Sequence, residues 1–403
     1  MGKKKTWVLG CFIAALVISS LVVGCGGGAT TPTTPTTPTT PTTPTTPTTP
    51  TTKDLEKPSR IVVGTYKIGI TGHQMTAAMA SKAQESSGIQ FRVIPTQGTL
   101  PRHLDMRNGL IDIGLSSGTT ITPMQQGILE FNDPDWGPQN AWMVFNGGWS
   151  DQSLGVHKDS PVDVNADPLE IGKQMADLRH AWSRRQSAAK VVIDFGLYNF
   201  YGIDISQKPD SVNFVPISSA GSGLPMMREG RVDAYACGAT SGIAYALAAG
   251  PLGIKWLNMD PTTDAGKAAW DRLHVYAPSA YPLHSKSGAT IDPVNGWWVA
   301  AYDQPYVAYE EVPENVAYWF TKGMWDSYEL YKDMHPSIAS YDHDTVLNMD
   351  RWRLPWHAGS VKFFKNEGVW TPEMQAKQDE LAAELKNQLD TWKFTGEYVY
   401  PRD

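Results

Sequence analysis

Cysteine is almost missing from this chain: 403 residues carry 3, and two of those, Cys11 and Cys25, fall near the start. Cys237 is then the only cysteine of the body, so no internal disulfide can close if Cys25 is used elsewhere. Beside Gly238 it reads as a small packing residue. Positive charge is also short. Against 41 Asp and Glu stand 34 Lys and Arg, for a net charge of −7. No basic surface recommends nucleic acid as a partner. After the N-terminus no apolar run is long enough to span a membrane. These absences exclude a disulfide scaffold, a nucleic-acid binder and a multi-span membrane protein.

What is there begins with an address. Lys3, Lys4 and Lys5 precede an apolar run from Trp7 to Val23, which ends in Val22-Val23-Gly24-Cys25. A basic start, an apolar core and small residues at the cut make a secretory signal over 1–25. The ending looks like a lipobox, in which Cys25 becomes the lipidated first residue of a lipoprotein. The rival reading is an uncleaved N-terminal anchor. Gly26 to Gly28 follow, and then Thr-Thr-Pro occurs seven times from Thr30 to Pro50. Residues 26–56 therefore read as a tether, in which Ala29 to Thr52, tending to polyproline II, reach roughly 70 Å if fully extended. A cell-wall or mucin-like stalk is the plainer alternative. Either way, the body is expected outside the cytoplasmic membrane, lipid-anchored at the cell surface or in the periplasm.

The body, about 350 residues, is long enough for one large or two ordinary domains. Strands are expected at Ile61–Gly64, Gln90–Ile94, Leu110–Leu115, Ala141–Phe145, Ser153–His157, Val212–Ile217 and Val232–Ala236. Helices are expected at Gln74–Ser87, Leu100–Asn108, Val191–Tyr201 and Pro313–Tyr331, with a last one opening at Thr371-Pro372-Glu373. Trp297–Tyr302 reads as a strand returning to the first part. Strands alternating with helices give an α/β class with a largely parallel sheet.

One pattern occurs twice. Phe91-x-x-Ile94-x-x-x-Gly98-Thr99 is followed by Met106-Arg107-Asn108-Gly109-x-Ile111-Asp112. Phe214-x-x-Ile217-x-x-x-Gly221-Ser222 is followed by Met227-Arg228-Glu229-Gly230-x-Val232-Asp233. Each reads as strand, Gly-hydroxyl loop, helix, Gly stop, strand. Each then runs into small residues, Ser116-Ser117-Gly118 and Gly238-Ala239-Thr240-Ser241-Gly242. Two such units suggest two similar lobes facing each other across a cleft. Strand ends and helix N-termini offer free N–H groups there to a small polar or anionic ligand.

The same residues resemble a known family, the TAXI-type solute receptors of TRAP transporters, from about Ile61 to Gly368. The carriers are Val63 to Gly69, then Gly98-Thr99 with Gly109 and Asp112, and Glu229 to Ala234. Later come Val312 to Tyr318 and Leu354-Pro355-Trp356-His357-Ala358-Gly359-Ser360 with Phe363, Phe364 and Gly368. The resemblance implies a two-lobed, type II periplasmic-binding-protein-like α/β fold with a hinge and an interlobe cleft. Lobe 1 is expected over 57–150 and 291–403, the latter with the C-terminal helix, and lobe 2 over 151–290. It further implies a solute receptor, not an enzyme, that delivers a small carboxylate or amino acid to a TRAP-type permease. Two departures stand out. Tyr66, Lys67 and Ile68 occupy a loop that the family fills with Gly, Ser and Thr. Arg184 and Arg185 stand where it tends to use backbone donors.

The candidate ligand-binding residues are Thr65, Tyr66, Lys67, Thr99, Ser116, Ser117, Arg184, Arg185, Ser187 and Ser222, at expected strand ends. Arg184 or Arg185 suits a bidentate carboxylate pair, or else is a solvated helix start. Trp136, Trp142 and Trp149 lie near the lobe junction, to stack on a ring or to pack the core. His357 reads as structural. No cofactor or metal is called for: Asp342-His343-Asp344 reads as a solvated turn. Two other functions remain open. Gly114-Leu115-Ser116-Ser117-Gly118 fits the G-x-S-x-G outline of a hydrolase elbow. The stalk and 15 tryptophans suit a sugar-binding adhesin.

Overall fold

Two sheets form, and the chain crosses between them twice. The computed structural model describes residues 54–183, 188–203, 205, 213–217 and 222–396. The first passage runs β1 (Arg60–Thr65), α1 (Thr71–Ser87), β2 (Gln90–Pro95), α2 (Thr99–Arg107), β3 (Ile113–Leu115), α3 (Gly118–Gln126) and β4 (Ala141–Phe145). The second runs β5 (Trp149–Val156), α4 (Pro168–Met175), β6 (Arg179–Ser183), α5 (Ala188–Phe200) and β7 (Asn213–Ile217). It continues through α6 (Gly223–Arg228), β8 (Ala234–Cys237), α7 (Gly242–Ala248), β9 (Lys255–Trp256), α8 (Asp264–His274), β10 (Tyr281–Ser285) and β11 (Trp297–Asp303). The return comprises β12 (Tyr306–Tyr309), α9 (Glu314–Asp326), α10 (Tyr328–Tyr331), α11 (His343–Leu347), α12 (Ala358–Asn366) and α13 (Pro372–Thr391).

The first sheet has the order β2-β1-β3-β12-β4, the second β10-β11-β5-β8-β6-β7 with β9 beside β5. The α/β class expected from the sequence forms, but the sheets are mixed rather than largely parallel: β2-β1-β3 and β7-β6-β8 run parallel, and the other pairs are antiparallel because hairpin-like and returning strands complete each sheet. β1 is an interior strand, buried along Ile61-Val62-Val63, so it is a continuous apolar run rather than an alternating one. On one side α1 lays Met75, Met79 and Ala83 into the core and stops at left-handed Gly88. On the return, α9 buries Val316, Phe320 and Met324. It ends at Ser327, so the expected single helix to Tyr331 is two. Thr371 caps α13 by accepting from Met374 N, and Leu381 and Leu385 dock it.

The repeated pattern is a structural repeat. β2-β1-β3 in the first sheet and β7-β6-β8 in the second share the same parallel order. Asp112 Oδ2 accepts from Val62 N at 2.7 Å, while Asp112 N donates to Val62 O at 3.0 Å. Asp233 repeats this on Arg179, with 2.9 and 2.7 Å. Gly109 and Gly230 both turn the helix into the strand at φ 67°. Met106 and Met227 are buried under the two units.

The expected boundary near 291 needs correcting. β11 does not return to the first sheet: it pairs antiparallel with both β10 and β5. The chain comes back at β12, which inserts between β3 and β4. The physical reason is pairing. Trp297–Asp303 finds open strand edges in the second sheet, a contact set by long-range geometry. The two crossings, Asn146–Gly148 and Gln304–Pro305, are tied by Gln304 N donating to Gly147 O at 3.1 Å. Arg351 from the first lobe pairs with Asp303 and reaches Tyr281 Oη of the second at 3.3 Å.

Candidate functional site

The strand ends of the two lobes meet at one seam. On the first lobe, the chain leaves β1 at Thr65, passes Tyr66 to Ile70 and enters α1 at Thr71. On the second, it leaves β8 at Cys237 and enters α7 through Gly238–Ser241, with Ser241 Oγ accepting from Ala244 N as the cap. Thr71 Oγ1 and Thr240 Oγ1 lie 3.3 Å apart across the seam. A small cavity of about 60 Å³ opens there, lined by Ile70 and Thr71 on one side and by Ser150, Gln152, Tyr235, Cys237, Gly238 and Ser241 on the other.

The second lobe's wall is braced by Asp151, which is fully buried. It accepts from Ala239 N at 2.6 Å, Thr240 N at 3.2 Å and Thr240 Oγ1 at 2.5 Å. Burial pushes its carboxyl up, and these three donors work against that rise. Because Thr240 spends its proton on Asp151, Thr71 is the donor in the bond across the seam. Gln152 Nε2 donates to Tyr302 Oη at 3.4 Å, which leaves Gln152 Oε1 without a partner.

Behind the strand end of the first lobe lies a residue that sequence reading missed, Arg102. It lies on α2, which covers the face of the sheet carrying Gly64 and Gly114, paired neighbours on β1 and β3. A Cβ at Gly64 would stand 3.2 Å from Arg102 Cγ, and one at Gly114 3.5 Å from Arg102 Cδ. The two glycines thus open the channel in which the arginine stem lies. Only 1% of Arg102 is exposed. Its guanidinium lies 4.5 Å from the centre of the Tyr66 ring. Nη1 donates to Thr65 O at 3.4 Å and to Thr96 Oγ1 at 3.3 Å, both long contacts, and Nη2 has no partner. No carboxylate pairs with Arg102 among the described residues. Burial pulls its pKa down, with Tyr66 opposing.

The expected residues divide accordingly. Tyr66, just past β1, lies with its ring against Arg102, while Ser116, just past β3, donates its N–H to Pro305 O at 2.7 Å. The Tyr66 hydroxyl has Arg102, Ser117 and Gln304 around it but completes no hydrogen bond. Burial pushes it up. Ser116 Oγ, Thr99 Oγ1 and Gln304 Oε1 are buried and equally unpartnered. Thr65 Oγ1 bonds Tyr66 O and His73 Nδ1, so it shapes the loop. Ser117 caps α3 by accepting from Thr119 N at 3.2 Å. Lys67 is exposed, and Ser222 stands at the start of α6 beside Leu224 of the cavity. Arg184, Arg185, Ser187 and Cys25 lie outside the described residues.

Several other candidates have different work. Ser116 has no histidine or other partner on its hydroxyl, so the elbow-like motif lacks a base among the described residues. Asp342 caps α11 by accepting from Thr345 N, and His343 stacks on Trp325 with ring centres 3.6 Å apart. His357 Nδ1 caps α12 by accepting from Gly359 N at 3.2 Å, the structural task expected of it. Trp136 packs on the first core under Arg107, and Trp142 donates to Asn140 Oδ1. Trp149 opens β5 opposite Asp303. No described helix is long and apolar enough to cross a membrane.

The family model described as NMT1-like matches residues 213–368, the second half of lobe 2 and most of the return. No curated protein matches the chain. Among solved structures, R. palustris Rpa4515 with adipate is 13% identical, with a TM-score of 0.47, over 83% of this chain and 98% of that one. MatC from Rhodopseudomonas palustris with bound malate is also 13% identical, with a TM-score of 0.45, over 83% and 99%. The ligand-binding component of an ABC-type import system from Staphylococcus aureus is 13% identical, with a TM-score of 0.44, over 80% and 99%.

Proposed function

We propose that this protein is an extracytoplasmic solute receptor that binds a small anionic solute between its two lobes and releases it unchanged to a membrane permease. One observation carries the reading: strand-end loops and helix starts of two repeated units face each other across a cavity, with Gln152 Oε1 unpartnered in its second-lobe wall and the Tyr66 hydroxyl and Arg102 Nη2 unpartnered behind the strand end of the first. Buried polar groups in a finished core are paired. A set of them at one seam is what a site for a polar ligand leaves open. The hinge supports the same reading, since only two short crossings join the lobes. The TRAP type of the permease and the tether through a lipidated Cys25 rest on the sequence resemblance and the lipobox.

The test is native mass spectrometry of the purified protein, followed by denaturation to release any small molecule carried along. A released carboxylate or amino acid supports the receptor and names its solute class. An empty protein with no thermal shift toward organic acids, amino acids or sugars sinks it. Small-angle scattering adds a second check, because a bound solute should compact the two lobes.

A further inference from the structure

We propose that Arg102, on lobe 1, is the anchor for the solute's anionic group, and that the solute carries a hydrogen-bond donor beside that group. The inference rests on the receptor reading and deepens it. A guanidinium almost wholly out of water, with no carboxylate partner, is an expensive thing to keep. Its two contacts, to Thr65 O and Thr96 Oγ1, are too long to justify it as a structural brace. Nη2 is left with a proton to give, and the hydroxyl of Tyr66, whose ring lies on the guanidinium, is unpartnered too. A carboxylate accepts from both at once, and a guanidinium fork matches its geometry.

The second half comes from the acceptors. Gln304 Oε1, next to the Tyr66 hydroxyl, and Gln152 Oε1, across the seam, are both buried without a donor. A plain carboxylate cannot serve them. A carboxylate with a neighbouring hydroxyl or ammonium can. Tyr66 covers the guanidinium and opens the loop that leads to the cavity at Ile70, so it is the side chain that must swing for the solute to reach Arg102.

The experiment is calorimetric titration of the full chain with three matched pairs: lactate and propionate, malate and succinate, glutamate and glutarate. In at least one pair the donor-bearing member should bind, and bind at least about tenfold tighter than its partner. Arg102→Met should weaken that binding by at least about thirtyfold, and Arg102→Lys should weaken it too, because the fork is lost. The solute-free Arg102→Met protein should melt higher than wild type, the reverse of what loss of a structural brace gives. Several outcomes overturn the inference. Affinity within threefold of wild type in either folded variant removes Arg102 as the anchor. Equal binding within every pair removes the donor. Binding of a neutral sugar with none of the six acids overturns the inference and leaves the receptor standing. Failure of every solute overturns both.

Discussion

Asp233 does for Arg179 in the second lobe what Asp112 does for Val62 in the first: each carboxylate accepts from the strand's N–H while its own N–H returns a bond to that residue's carbonyl. The two differ in surroundings. Arg179 also gives Asp233 a two-pronged side-chain pair, at 2.8 and 2.7 Å, which holds its carboxyl below the usual range. Asp112 has no such pair, and burial pushes it up.

The first prediction follows from that contrast. Asp233→Asn should cost about 1–3 kcal/mol at pH 7. A carboxyl whose folded pKa is depressed stabilises above its unfolded value of 3.8, and that stability is lost as pH falls through the lower folded value. The deficit of Asp233→Asn should therefore shrink on acidification below 3.8. Asp112→Asn should lack this pattern. Urea unfolding of both variants across pH reads it, and equal pH profiles would refute it.

Gly64→Ala should destabilise the first lobe by about 1–3 kcal/mol. The added Cβ would meet Ile111 Cδ1 at 2.7 Å and Arg102 Cγ at 3.2 Å. Denaturant melts check the cost. Unchanged stability would mean that the arginine channel is looser than described.

Thr71→Val removes the only donor of the bond from Thr71 to Thr240. Stability should fall by about 0.5–1.5 kcal/mol, and the lobes should sit further apart on average. Distance measurements between labels on α1 and α7 would show it. An unaltered distance distribution would assign closure to other contacts.

Glu130 lies in a buried turn just after α3, and neither of its carboxylate oxygens has a partner among the described residues. Its neighbour Leu129 packs with the second core at φ 54°, while Phe131 packs with the first. Burial pushes the carboxyl from 4.5 up to about 7. A raised acid favours the folded state while protonated, so this contribution is complete below 4.5 and disappears as pH rises through about 7. Its size is on the order of 3 kcal/mol. Glu130→Gln should thus melt higher than wild type at pH 8 and alike at pH 4. Identical melts at both values would contradict it.

Much of the fold was legible. Glycine stops at Gly109 and Gly230, with an aspartate three residues on, are local signals, and they marked both copies of the repeat. Apolar spacing along α1, α9 and α13 located helices whose buried faces depend on period alone. The elements that escaped, β6, β9, β10 and β12 among them, are short or mixed in composition, and they become strands only through an edge supplied by distant chain.

The site was half legible. The loops Ser116–Gly118 and Gly238–Gly242 announced themselves by small and hydroxyl residues, and both lie at or beside the seam. Arg102 did not. Within α2 it reads as one more surface charge, and its burial depends on Gly64 and Gly114, on the two paired strands against which it packs. The sequence by itself determined the signal-like start, the α/β grammar and the doubling of the unit, because each is written in neighbouring residues. Only tertiary structure decided where the chain returns and which charge goes under the sheet's rim. Strand pairing and desolvation belong to residues brought together from far apart.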